Sequence, residues 1–224
     1  MSPPSFRGSL LIVVAPSGAG KTSLVRHLLG ARDGLQLSVS TTTRAPRPGE
    51  RDGVDYHFTT VDAFLALRER GEFLESALVH GNHYGTSRAW IAERMAAGTD
   101  IVLEIDWQGA AQVRRIFPDA VSVFIAPPSL EVLRERLTAR GQDAPEVIER
   151  RMAAARSELE HAGECQYVII NQDFAAACEV LVGIVDAARA RFGQQRSRHP
   201  DLFLELGMVR ADAGRGVPDD REAR

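Results

Sequence analysis

Lysine is almost absent from this chain. Of 27 basic residues one is a lysine, Lys21, and the other 26 are arginines. A sequence that uses arginine wherever plain positive charge serves has kept its one lysine where a compact ammonium is wanted and a planar fork is not. Cysteine is nearly missing too. Cys165 and Cys178 cannot form a disulfide framework and their spacing fits no zinc pattern, so a reduced, cytoplasmic setting with buried, inert thiols is expected. No apolar run approaches the roughly 18–20 residues of a membrane span, and Met1 to Gly8 is too short and too polar for a signal peptide. A formal net charge of −3 gives no global attraction to nucleic acid. What is present is ordinary globular material: 224 residues, 25% charged and 44% apolar, enough for one large domain with a sizeable core.

Short apolar runs predict strands over Leu10–Val14, Leu35–Ser40, Phe73–Val79, Ile101–Ile105, Val121–Ile125 and Tyr167–Ile170. Between them helical periodicity predicts helices from Ser23 onward and over Val61–Arg70, Arg88–Ala97, Gln108–Phe117, Ser129–Arg140, Ala144–Ala162 and Phe174–Arg191. Strands alternating with helices argue for an α/β domain with a largely parallel sheet. Thr41 to Asp55 interrupts the alternation with two prolines, two glycines and balanced charges, and reads as a polar surface loop or a binding loop. From Gly193 arginines and acids alternate with little apolar matter. An extension is expected over 192–224, partly disordered, with one short docked helix around Leu202–Val209.

Ala15-Pro16-Ser17-Gly18-Ala19-Gly20-Lys21-Thr22 fits the looser Walker A pattern, between a buried strand and a helix. Gly18 and Gly20 let successive backbone N–H groups point into one hollow, at the positive end of the helix that follows. Lys21 would reach the β- and γ-phosphates of a nucleotide, and the Thr22 hydroxyl would bind Mg²⁺. With no second lysine, the guanine-reading Asn-Lys-x-Asp motif of GTPases cannot exist here, so a P-loop kinase using ATP is the expected class. Ile101 to Asp106 is an apolar strand ending in acids, placed like a Walker B segment or ending at a capping aspartate.

Ser38 to Glu50 followed by Gly53-Val-Asp-Tyr56 brings hydroxyls, two arginines and a tyrosine, donors suited to a phosphate monoester. With this loop, and with Gly71-Glu-Phe-Leu-Glu75, Tyr84-Gly85-Thr86, Ile105-Asp-Trp-Gln-Gly109, Phe124-Ile-Ala-Pro-Pro128 and Arg136-Leu-Thr-Ala-Arg-Gly141, the chain resembles the guanylate kinases over Gly8 to Arg191. The resemblance implies a P-loop NTPase-type core over 8–191, an inserted GMP-binding segment at about 40–88 and a short helical lid at about 136–151. It implies that Ser40, Arg44, Arg47, Tyr56 and Tyr84 contact the GMP phosphate, with Glu50 ordering that loop. Glu75, Thr86 and Asp106 are implied on the guanine side, and Arg136, Arg140 and Arg151 as lid arginines approaching the phosphates. Glu104, where many members have aspartate, falls near the metal and its waters.

A physical argument supports guanine independently. Its N1–H and N2–H₂ are neighbouring donors that suit a carboxylate, whereas adenine presents an unprotonated N1 to the same oxygens. The expected reaction is in-line transfer of the ATP γ-phosphoryl to GMP, with Lys21, Mg²⁺ and lid arginines supplying charge and the loop amides supplying fixed dipoles. A phosphate monoester is already anionic at neutral pH, so no general base is required. Two rivals remain at this point: a P-loop kinase for another phosphorylated acceptor, and a related module that grips a phosphorylated peptide without catalysis. ATP and GMP are the expected partners, with no nucleic acid and no membrane.

Overall fold

A computed structural model describes residues 8–139 and 144–209. Five strands form an all-parallel sheet: β1 (Leu10–Val14), β2 (Leu35–Leu37), β7 (Asp100–Glu104), β8 (Val121–Ala126) and β9 (Tyr167–Ile170), in the order β2-β7-β1-β8-β9. Every residue of β1 is buried, because helices cover both faces. Leu11 and Val13 face one cluster, built with Leu24 and Leu28 of α1 (Lys21–Ala31) and Leu181 and Val185 of α7 (Phe174–Arg189). Leu10, Ile12 and Val14 face the other, with Ile91 and Met95 of α3 (Arg88–Ala96) and Ala110 and Val113 of α4 (Trp107–Ile116). The period-two alternation of one strand thus feeds two cores.

A smaller mixed sheet runs β4 (His57–Phe58), β3 (Thr41–Thr42), β6 (Asn82–Ser87), β5 (Phe73–Val79). β5 and β6 are an antiparallel hairpin closed by His80 and Gly81, both at positive φ (50° and 80°), the left-handed pair that a two-residue hairpin turn requires. α2 (Val61–Glu69), capped by Thr60, sends Phe64 onto Phe73 with ring centroids 4.5 Å apart. Three of these strands were not expected from the sequence. β3 and β4 are two residues each and lie on either side of a Pro/Gly loop, and Asn82–Ser87 is polar with a central glycine. Their strand character comes from pairing, not from an apolar run.

α5 (Leu130–Ala139) and α6 (Pro145–Glu160) pack through a cluster of their own, Leu133, Leu137, Ile148, Met152 and Ala155. Beyond α7 the chain forms two short helices, α8 (Phe192–Arg198) and α9 (Pro200–Glu205), where one was expected; of the extension expected to be partly disordered over 192–224, residues 210–224 lie outside the described residues. Asp100, only 2% exposed at the start of β7, holds this extension to the core. It accepts from Arg198 Nη2 at 2.5 Å, Arg189 Nε at 2.8 Å, and the Ser9 amide and hydroxyl at 2.7 and 2.6 Å. Burial alone would raise its pKa; those four donors hold it below the usual carboxylate range.

Candidate active site

The C-terminal ends of β1 and β7 open into a cavity of about 290 Å³ that reaches across to the smaller sheet. Parallel sheets bind ligands at this end, where strand order reverses about β1. On one wall, the chain leaves β1 at Val14 and turns through Ala15 to Gly20 into α1. Gly18 and Gly20 sit at φ 95° and 98°, the region only glycine enters without strain. Gly20 is further required by a close approach. A Cβ there would lie 2.4 Å from Asn171 Nδ2, which donates to the Ala19 carbonyl at 2.7 Å and ties the loop to the end of β9. Lys21 Nζ donates to the Ile105 carbonyl at 3.3 Å, and Thr22 Oγ1 donates to Glu104 Oε2 at 3.3 Å. The other oxygen, Glu104 Oε1, is buried with no partner among the described residues. Burial raises the Glu104 pKa, and the Lys21 ammonium works against that rise.

The opposite wall is built from β5 and β6. Their register pairs Glu75 with Thr86, after an irregularity between Phe73 and Glu75 that lets Leu74 join the α4 cluster. Glu75 is 3% exposed and accepts from Thr86 Oγ1 at 2.6 Å. Burial pushes its pKa to about 7; the Thr86 hydrogen bond opposes the rise and the charge of Asp106 adds to it. α4 closes the pocket behind it. Gln112 pairs with the backbone of Ser76 in both directions, Nε2 to the carbonyl at 2.9 Å and Oε1 from the amide at 3.2 Å, so the side chain substitutes for a missing strand at the sheet edge. Asp106 caps α4 by accepting from the Gly109 amide at 2.9 Å. Gly109 itself leaves room for the carboxylate, since a Cβ there would fall 2.4 Å from Glu75 Oε2.

Between the walls lies the loop after β3. Glu50 is gripped by Arg44 Nη2 at 2.8 and 3.0 Å and by the Arg47 amide at 2.7 Å, and the Arg44 hydrogen bond draws its pKa down. Arg44 also lies 5.2 Å from the ring centroid of Tyr56, whose ring meets that of Tyr84 edge-on at 6.0 Å. Burial, then the neighbouring Tyr84, raises the Tyr56 pKa.

Most of the residues singled out in the sequence converge on this cavity. Ala15, Pro16, Ser17, Gly18, Gly20, Lys21 and Thr22 line it on the loop side; Ser40, Arg47, Tyr56, Glu75, Tyr84 and Asp106 line it on the other. Arg151, on α6, reaches it as well, with Nη2 donating to Ser17 Oγ at 2.5 Å. Ala19, Arg44, Glu50 and Thr86 stand behind the walls rather than on them. Arg136 donates to the Asn171 carbonyl at 3.0 Å and does not line the cavity. Arg140 lies outside the described residues. Two titratable residues on the wall escaped the sequence reading. His80 lines the cavity from the β5–β6 turn, and Glu158 lines it from α6. The His80-Gly81 turn pair was available as a hairpin signal; nothing in the sequence distinguished Glu158 from the other acids of its helix.

A loop of glycines and one lysine between a buried parallel strand and a helix, facing a second ligand wall, defines a P-loop nucleotide-binding protein of the phosphotransferase type. The family model described as Guanylate kinase matches residues 7–188. The chain is 59% identical over 203 residues to a guanylate kinase of Cupriavidus pinatubonensis, covering 91% of this chain and 94% of that relative. It is 60% identical over 203 residues to one of Ralstonia nicotianae, covering 91% and 92%. The crystal structure of guanylate kinase from Anaplasma phagocytophilum superposes with a TM-score of 0.69 at 32% identity, over 88% of this chain and 97% of that one. The chain belongs to the guanylate kinase family.

Proposed function

We propose that this enzyme transfers the γ-phosphoryl group of ATP to GMP, giving ADP and GDP, within a single domain of about residues 8–191. The observation that carries the reading is the buried Glu75–Thr86 pair facing the Lys21 loop across one cavity. Glu75 presents carboxylate oxygens to guanine N1–H and N2–H₂, and Thr86 fixes the carboxylate from behind. Arg47, Tyr56, Tyr84 and Ser40 receive the GMP phosphate, while the Arg44–Glu50 fork keeps their loop in shape. The amides of Gly18 to Thr22 and the Lys21 ammonium take the donor phosphates.

Mg²⁺ fits the remaining donors. Among the described residues no group of three or more His, Cys, Asp or Glu could hold a metal by itself. One hydroxyl, Thr22, and one carboxylate with a free buried oxygen, Glu104, are the sparse hard-oxygen set of a magnesium site completed by phosphates and water. When bound, the ion would neutralise charge on the transferring group. The acceptor oxygen is already anionic, so the protein's own task is to bring two polyanions in line and to exclude water. The segment at about 136–151 supplies Arg151 to that task, and Arg136 and Arg140 are assigned with it by family resemblance.

A coupled assay of ADP release with GMP, AMP, CMP and UMP tests the reading. Turnover with GMP alone is expected. Equal turnover with AMP would remove Glu75 from base recognition, and no turnover with any of the four would return the chain to the class of non-catalytic binding modules.

A further inference from the structure

Glu158 is an anion on the wall of a cavity meant for a polyanion. It lies seven residues, about two turns, beyond Arg151 on α6, so the two share a face. Both act on the same residue of the loop: Arg151 donates to the Ser17 hydroxyl, and the Ser17 backbone amide stabilises the Glu158 carboxylate. The Lys21 ammonium stabilises that carboxylate as well, and Asp106 opposes it. An amide of the loop and the single lysine are groups that a bound triphosphate would draw on. The geometry points to Glu158 as an internal stand-in for nucleotide phosphate: it answers the positive charge of the loop before ATP binds, docks α6 onto Ser17, and gives up its charge by taking up a proton when ATP binds. It is therefore an affinity-setting positioning residue for the donor, an inference that rests on the reading of this loop as the ATP site.

The charged and titratable groups that share its cavity are Lys21 of α1, Glu104 at the end of β7 and Asp106 just past it, Glu75 of β5, Tyr84 of β6, and His80, Arg47, Tyr56 and Arg151. Burial pushes the Glu158 pKa to about 7, the Lys21 ammonium opposing the rise and Asp106 adding to it. Its charge is accordingly complete well above neutrality and largely gone near pH 6.

The test is calorimetric titration of the full-length protein and of Glu158→Gln with the Mg²⁺ complex of a non-hydrolysable ATP analogue, at pH 6, 7 and 8. The variant is expected to bind about five- to tenfold tighter than wild type at pH 8, an advantage that shrinks towards one at pH 6. Taking the ratio cancels titration of the nucleotide itself. Wild type alone gives a second readout: at pH 8, titrations in buffers of different ionisation enthalpy should show proton uptake on binding. Equal affinities at every pH, weaker binding by the variant, or no proton uptake would overturn the inference, as would a lowered Tm with unchanged affinity. If neither protein binds the analogue, the donor-site reading fails too; if both bind alike, only the role of Glu158 fails.

Discussion

The two walls of the cavity are made by different means. The proposed donor wall is eight consecutive residues, Ala15 to Thr22, whose available groups are mostly backbone amides oriented by two left-handed glycines and one helix end. The proposed acceptor wall draws side chains from β5, β6, the loop after β3 and the start of α4, and its geometry depends on strand register and on a helix set against a sheet edge. The first is robust because geometry within one turn of chain determines it. On the proposed reading the second is selective, because a buried carboxylate satisfied only by the right donors requires several distant elements to hold it.

If the contrast holds, damage on the donor side abolishes transfer and damage on the acceptor side alters which nucleotide is used. The largest effect is expected for Lys21→Arg. Replacing the compact ammonium by a wider fork should lower kcat by about a hundredfold or more while the thermal melt stays close to wild type. Near-wild-type turnover in steady-state assays would remove Lys21 from the transfer step.

Glu75→Gln should come next, lowering kcat/KM for GMP by about ten- to a hundredfold, the consequence of about 1–3 kcal/mol of lost pairing, while the Kd for ATP changes less than about twofold. The same carboxyl carries a stability signature. Its folded pKa of about 7 lies above the ordinary 4.5, so its contribution to stability is complete below about pH 4.5 and is lost as the pH rises through about 7. The full loss amounts to about 3 kcal/mol. Melting curves should accordingly place Glu75→Gln above wild type at pH 8 and near it at pH 5. Parallel losses for GMP and ATP, or a variant that melts lower at pH 8, would break the distinction between the walls.

GMP affinity itself should fall by about tenfold from pH 8 to pH 6 as Glu75 takes up its proton and ceases to be an acceptor only. Titrations of Glu75→Gln over the same range should lack that component. Gly109→Ala is the smallest and most local perturbation. Its methyl would enter the space of Glu75 Oε2, so the KM for GMP should rise by about three- to tenfold with the ATP KM unchanged. An ATP KM that moved in step would show that α4 serves both walls equally.

Legibility in the sequence follows the same division. β1, β7 and β8 were readable because a strand buried on both faces is a nearly continuous apolar run. α4, α6 and α7 were readable within two residues at each end because their apolar spacing exceeds any local ambiguity. β6 was not, since Asn82-His-Tyr-Gly-Thr-Ser87 has no apolar face of its own and becomes a strand by pairing with β5 and β3. Asp106 looked like either a ligand or a cap, and the fold makes it the cap of α4 while leaving it on the cavity wall. Nothing in the sequence separates Glu158 from Glu146, Glu149 and Glu160 of the same helix; its place on the cavity wall does.

By itself the sequence determined that a phosphate-binding loop follows the first strand, because glycine freedom, a single ammonium and a helix start act over a few adjacent residues. Only the tertiary structure decided which carboxylates matter. Desolvation and the approach of distant partners set the chemistry of Glu75, Glu104 and Glu158, and both depend on what packs around a side chain rather than on what precedes it in the chain.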